Sequence, residues 1–164
     1  TARLAANADV IRNLCRGVTD AQARRRFAPD QWSLLEVINH LDDEEREDFR
    51  TRVEYTLYRP GQAWPPIHPS AWVEERHYNA RSLQPSLESF LAERARSIAW
   101  LNGLAQPNWE TSATHPSAGV LTAGDLLASW LAHDFLHIRQ LNEWHYRMHA
   151  AATPTRRVDY AGEW

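Results

Sequence analysis

The stretch LLASWLAHDFLHIRQLNEWHYRM, residues 126–148, decides the reading of the fold. At about 100° per residue, Leu126, Trp130, Leu141, Trp144 and Met148 fall on one narrow stripe of a helix. His133 and His137 fall in the middle of that same stripe. Being four residues apart, they stand one turn above the other, so two imidazoles project together into a core. The helix has a defined start, with Thr122 as N-cap and Asp125 three positions on.

Working outward from it, three more helices can be read. The first covers roughly residues 2–17, where Leu4, Ala8, Ile11, Leu14 and Cys15 recur at helical spacing and Gly17 can end the run. The second starts at Ser33 and Glu36, a capping box, and runs to about Leu57. Leu34, Ile38, Leu41, Glu45, Phe49 and Val53 mark its stripe, and Pro60-Gly61 stops it. The third begins near Pro85, carries Leu87, Phe90, Leu91, Ala95, Ile98 and Leu101, and ends at Gly103 or Pro107. Residues 60–84 and 105–121 form two long connections. The first, with Trp64 and Trp72 among prolines, has the length of a functional or lid-like crossover. No alternating pattern competes with helix, and the tail to Trp164 reads as irregular. The expectation is an all-α chain of four helices, with residues 1–164 forming one domain.

Composition narrows the chemistry. Asp and Glu number 21 against 18 Lys and Arg, a net charge of −3, which gives no electrostatic case for nucleic acid. All 18 of those basic residues are arginine, which removes Schiff-base, P-loop and Ser–Lys mechanisms. The single cysteine, Cys15, excludes an intramolecular disulfide and Cys-rich zinc sites, and a lone free thiol suits a reducing cytoplasm. Among Ile11, Leu14 and Val18 it reads as a buried structural thiol. No apolar run approaches the length needed to span a bilayer, and the N-terminal residues lack a long apolar signal region.

Two histidines at positions i and i+4 on an apolar face have two readings. They can share a divalent ion, or each can be a core residue hydrogen-bonded to a carbonyl or carboxylate. A metal site needs more than two ligands. His145 and His149 lie off the stripe, and His68, His77 and His115 sit in connections that cannot be placed. His40 is the remaining histidine on a core-packing helix, but it sits toward the side of its stripe, beyond Val37.

The segment Trp32-Ser-Leu-Leu-Glu-Val-Ile-Asn-His40-Leu-Asp-Asp resembles the first metal-ligand segment of the DinB-like superfamily. His133-Asp-Phe-Leu-His137-Ile-Arg-Gln-Leu141 resembles its second. His115-Pro-Ser-Ala-Gly119 and Tyr160-Ala-Gly-Glu-Trp164 are also similar to stretches common there. The resemblance covers nearly the whole chain. It implies a four-helix bundle in up-down-down-up order, a homodimer, and one divalent metal, zinc or nickel, held by His40, His133 and His137 with positions left for water or substrate. Some relatives are thiol-dependent S-transferases or isomerases and others are hydrolases.

Such a metal would lower the pKa of a bound water or low-molecular-weight thiol, which then attacks a small electrophile. Glu44, one turn from His40, and Asp134, next to His133, are candidates to orient a ligand or to act as base; each is otherwise an exposed helix charge. Arg139 and Gln140 could meet an anionic substrate, and Trp64 and Trp72 could line a pocket mouth. The expectation is a cytoplasmic metal-dependent transferase or hydrolase acting on a small molecule. The alternative is a non-catalytic, metal-stabilised module for stress response or dimerisation.

Overall fold

Leu4, Ala8, Ile11 and Cys15 are all buried along one side of helix α1 (Ala2–Cys15). The chain leaves it through Gly17 at φ +76°, a left-handed conformation that glycine adopts without steric cost. A one-turn helix, α2 (Asp20–Ala23), follows behind a Thr19–Gln22 capping box. These are the first of the elements in a computed structural model that describes residues 1–162.

Helix α3 (Leu34–Asp43) begins where the capping box places it: the Ser33 amide donates to Glu36 Oε2 at 2.7 Å, and the Glu36 amide to Ser33 Oγ at 3.2 Å. It does not run straight to Leu57. Glu44–Phe49 is π-helical before α4 (Arg50–Tyr58) completes the rod. The sequence carries a reason. Leu41, Glu45, Phe49 and Val53 follow one another at four-residue steps, and each step overshoots a regular turn by about 40°. The wider π turn takes up that excess, so Glu45, Phe49 and Val53 all stay buried.

The first long connection holds α5 (Pro69–Glu75) and a 3₁₀ turn at Tyr78–Ala80. Trp72, Val73 and Tyr78 form a small core of their own there, so Trp72 is packing rather than pocket wall. Helix α6 (Leu83–Asn102) starts two residues before Pro85. The second connection corrects the reading that no strand forms. Strands β1 (Ser112–His115) and β2 (Gly119–Thr122) pair as an antiparallel hairpin, His115 opposite Gly119. Four residues per strand, half of them exposed and none buried, leave no alternating apolar signal to detect. Helix α7 (Ala123–Ala152) then runs from a Thr122–Asp125 capping box past Met148, and a 3₁₀ turn at Asp159–Ala161 follows. Glu163 and Trp164, which end the Tyr160–Trp164 stretch, lie outside the described residues.

Cross-helix bonds give the directions. Arg94 of α6 reaches the Leu4 carbonyl, while the cavity near Cys15 is lined by Leu83 and Leu87, so α1 and α6 are antiparallel. Asn7 bonds Asp134, and His145 meets the Leu14 carbonyl, so α1 and α7 are parallel. Ser89 bonds Asp42 and Arg50 bonds Ser97, so the second rod and α6 are parallel. Trp130 bonds Glu45 while Trp32 packs toward His137, so the second rod and α7 are antiparallel. The bundle is up-down-down-up. Two consecutive parallel rods require the chain to return the full bundle length, which explains the long crossover between Tyr58 and Leu83.

One buried ionic cluster joins all four rods. Arg94 Nε donates to Glu45 Oε1 at 2.8 Å, and its terminal nitrogens to both Asp134 oxygens at 2.8 and 2.7 Å and to the Leu4 carbonyl at 3.1 Å. Asn7 Nδ2 adds a bond to Asp134, and Trp130 Nε1 one to Glu45. Arg94 is 1% exposed, so none of this is screened by solvent. Removing its charge strands two buried carboxylates. Arg94→Met is expected to cost about 3–5 kcal/mol, read as a lowered urea midpoint at unchanged slope.

Candidate metal centre

His40 projects from α3 and His133 and His137 from α7, across the antiparallel seam between the two helices. Their rings converge through one atom each. His133 Nε2 lies 3.3 Å from His40 Nε2 and 3.1 Å from His137 Nε2. Among the described residues, these three are the group whose donor atoms, all within 4.8 Å of one another, could hold a metal ion.

Hydrogen bonding alone does not satisfy this arrangement. His137 Nδ1 is 2.8 Å from Gln140 Oε1, which fixes its proton on Nδ1 and leaves a bare lone pair on Nε2. A neutral His133 can then donate from Nε2 to His137 or accept there from His40, but not both. One close nitrogen pair is always repulsive in the neutral site. A cation at the focus satisfies all three lone pairs together. The two spacings at His133 fit, since nitrogens about 2.0–2.1 Å from a shared tetrahedral ion stand about 3.3 Å apart.

The surroundings keep the imidazoles neutral and fixed. Burial pushes His40 down to about 2 and His133 down to about 3, with neighbouring histidines adding to the effect, and burial lowers His137 too. Neutral imidazole is the form that ligates. The Trp32 ring packs 4.8 Å from His40 and stacks at 6.5 Å on His137, and Phe49 lies 5.0 Å from His133. The π turn is what aims Phe49 at this point.

The other candidates from the sequence are distributed differently. Glu44 is only 4% exposed and forms no hydrogen bond to the triad; it faces Asp48. Asp134 is fully buried, and both of its oxygens are engaged by Arg94. Gln140 holds His137 rather than standing free on the surface, a role its i+3 position allows. Arg139 is exposed on α7, and Trp64 stands beside His115, 5.8 Å between rings. His145 meets the Leu14 carbonyl at 2.6 Å. Burial raises the Cys15 thiol to about 12, consistent with a structural role. Sequence reading missed Trp32 as a wall of the site; its adjacency to Ser33 at the helix start was the available signal.

A narrow cavity of about 80 Å³ leads off beside the triad, lined by Phe27, Trp32, Gln140, Trp144 and the Glu143–Arg147 ion pair among others. Trp32 and Gln140 belong both to this cavity and to the triad's surroundings. None of the three histidines lines either this cavity or a larger one of about 400 Å³ at Arg12, Cys15 and Leu87, and only the smaller one shares residues with the triad's surroundings, so size does not locate the chemistry.

With fold and site geometry in view, the chain belongs to the DinB superfamily, whose family model matches residues 3–141. Among solved structures it is similar to YfiT from Bacillus subtilis, described as "a probable metal-dependent hydrolase with an unusual four-helix bundle topology". That likeness has a TM-score of 0.78 at 22% identity, covering 89% of this chain and 83% of that one. At this identity it establishes the shared fold. No curated protein matches the chain.

Protonation links the triad to stability. In the unfolded chain these histidines take up protons near pH 6.5, whereas the folded protein holds His40 and His133 neutral down to about 2 and 3. Their contribution is therefore complete above pH 6.5 and is lost as the pH falls toward 3. The melting temperature of metal-free protein should decline steadily from pH 7 to pH 4, and a His40→Gln variant, with one such group fewer, should decline less over the same interval.

Proposed function

We propose that His40, His133 and His137 hold one divalent ion and that the protein is a metal-dependent hydrolase or thiol transferase acting on a small molecule. The observation that supports this most directly is the convergence of three Nε2 atoms, with no fourth protein donor in the group among the described residues. Three protein ligands leave the coordination open, as catalytic sites do and closed structural sites do not. When bound, such an ion supplies a Lewis acid that makes water or a thiol nucleophilic near neutral pH.

The chain's own residues supply the rest. Trp32 and Phe49 wedge the imidazoles, and Gln140 fixes His137 through Nδ1, so that the Nε2 atoms keep their shared focus. The cavity walls of Phe27, Trp32 and Trp144 exclude water from an apolar substrate portion, and Arg147 at its rim offers a cation to an anionic one. The narrowness of the cavity favours a small molecule. Imidazole ligation suits zinc or nickel. Thiol transfer, with a low-molecular-weight thiol as the activated nucleophile, is the finer form of this reading; a homodimer in a reducing cytoplasm is its expected setting. No helix among the described residues is long and apolar enough to cross a membrane.

Elemental analysis of purified, tag-free protein beside a His133→Ala, His137→Ala double variant tests the reading. About one metal per chain is expected in the parent and none in the variant. A parent that stays metal-free after incubation with zinc and nickel sinks the enzymatic reading with the metal one. A metal-loaded parent that gains heat stability but turns over neither ester nor thiol-plus-electrophile substrates points instead to the metal-stabilised module.

A further inference from the structure

A row of buried polar side chains runs away from the triad along the second rod. His40, Glu44, Asp48, Arg52 and Thr56 recur every fourth residue, and the π turn at Glu44–Phe49 helps to hold them on one face. Glu44 is 4% exposed and Asp48 8%. His40 Nδ1, Glu44 Oε1 and Thr56 Oγ1 are buried without a hydrogen-bond partner. A helix that buries such a row against apolar packing alone would be strongly destabilised, so the row points to water, protons or a ligand. It ends at a cleft of about 350 Å³ lined by Arg52, Trp64, Pro65, Ile67, His115 and Pro116. There Arg52 pairs with Asp48 and covers the Trp64 ring at 5.0 Å, and Trp64 stands against His115 of the hairpin.

We propose that Glu44 and Asp48 share one proton and form the proton-transfer group of the histidine site, exchanging with solvent through the cleft at Arg52, Trp64 and His115. This rests on the metal reading above. The two carboxyls stand four residues apart on one face of the rod, both buried, with Glu44 Oε1 and Asp48 Oδ1 left without hydrogen-bond partners, and each bears on the other's ionisation. Asp43 adds a further negative charge, and Arg52 and His115 are the groups that favour ionisation. Two desolvated like charges at this distance do not both ionise at neutral pH. Burial, then Asp48, raises Glu44 to about 9, and burial raises Asp48 as well. The triad itself is neutral, so it brings no negative charge to a dication. Loading one beside His40 favours breaking the Glu44 O–H bond. The proton leaves to water in the cleft, and the pair, now fully ionised, offsets two of the three positive charges carried by the ion and Arg52. A carboxylate freed in this way, one turn from a ligand, is placed to take and return protons during turnover as a positioning group.

The test is zinc titration of the metal-free full chain at pH 7 in buffers of differing ionisation enthalpy, which counts protons released per zinc. The parent is expected to release about one proton more than Glu44→Gln, while elemental analysis shows equal zinc in both. Infrared spectra should show a protonated carboxyl band in the metal-free parent that zinc removes and that Glu44→Gln lacks. If Glu44→Gln does not fold, Asp48→Asn takes its place with the same expected loss, because Arg52 then pairs with Glu44. Equal proton release from parent and variant, or no protonated carboxyl at pH 7, overturns the inference and leaves the metal reading intact. A parent that binds no zinc removes both.

Discussion

Everything in this bundle is arranged around the buried Arg94 guanidinium. From α6 it reaches α1, the π turn and α7 together, through the Leu4 carbonyl, Glu45 and Asp134. Such a cluster contributes little net stability over an apolar core, because desolvation offsets attraction. Its value lies in specificity: only one axial register of the four rods lets every donor and acceptor meet. That register sets the level at which His40 faces His133 and His137. Asp134, adjacent to His133 in sequence, thereby serves the candidate metal centre by anchoring its helix.

The π turn is the second device on which the site depends. By absorbing the surplus of successive four-residue steps, it keeps Glu45 on Arg94, Phe49 on His133, and the Glu44–Asp48 pair in the row below His40. A regular helix would carry at least one of these off the face. The hairpin contributes in turn, because His115 reaches the far end of that row only through the β1–β2 ladder. The centre thus has an apolar side, walled by Trp32 and Trp144, and a polar side that runs through two carboxyls to solvent. The proposed loading of a dication on neutral imidazoles, with release of a proton, has use for both.

The charge balance fits this division. Three imidazoles held neutral by burial give strong donors and no charge. In the proposed exchange the neighbouring carboxyls supply compensation only when a dication loads, so the metal-free protein does not have to bury uncompensated negative charge. Gln140 completes the design by fixing one tautomer without adding charge, as a carboxylate in its place would.

Local chemistry made much of this legible in the sequence. The capping boxes at Ser33 and Thr122 fixed two helix starts, since they depend on residues three apart. The stripe through Leu126, Trp130, Leu141 and Trp144 placed His133 and His137 on one inward face, since helical periodicity is a property of the chain alone. His40 lay at the edge of its stripe, and resemblance rather than periodicity singled it out. What tertiary structure decided was partnership. Whether Glu44 is an exposed helix charge or a buried acid, whether Asp134 meets solvent or Arg94, and whether Gln140 is surface or support all depend on which face of another helix arrives opposite. So does the hairpin, whose short exposed strands carry no periodic signal. Periodicity says which way a side chain points, but only packing at a single register determines what it meets, and in this bundle that register is set by contacts up to 131 residues apart.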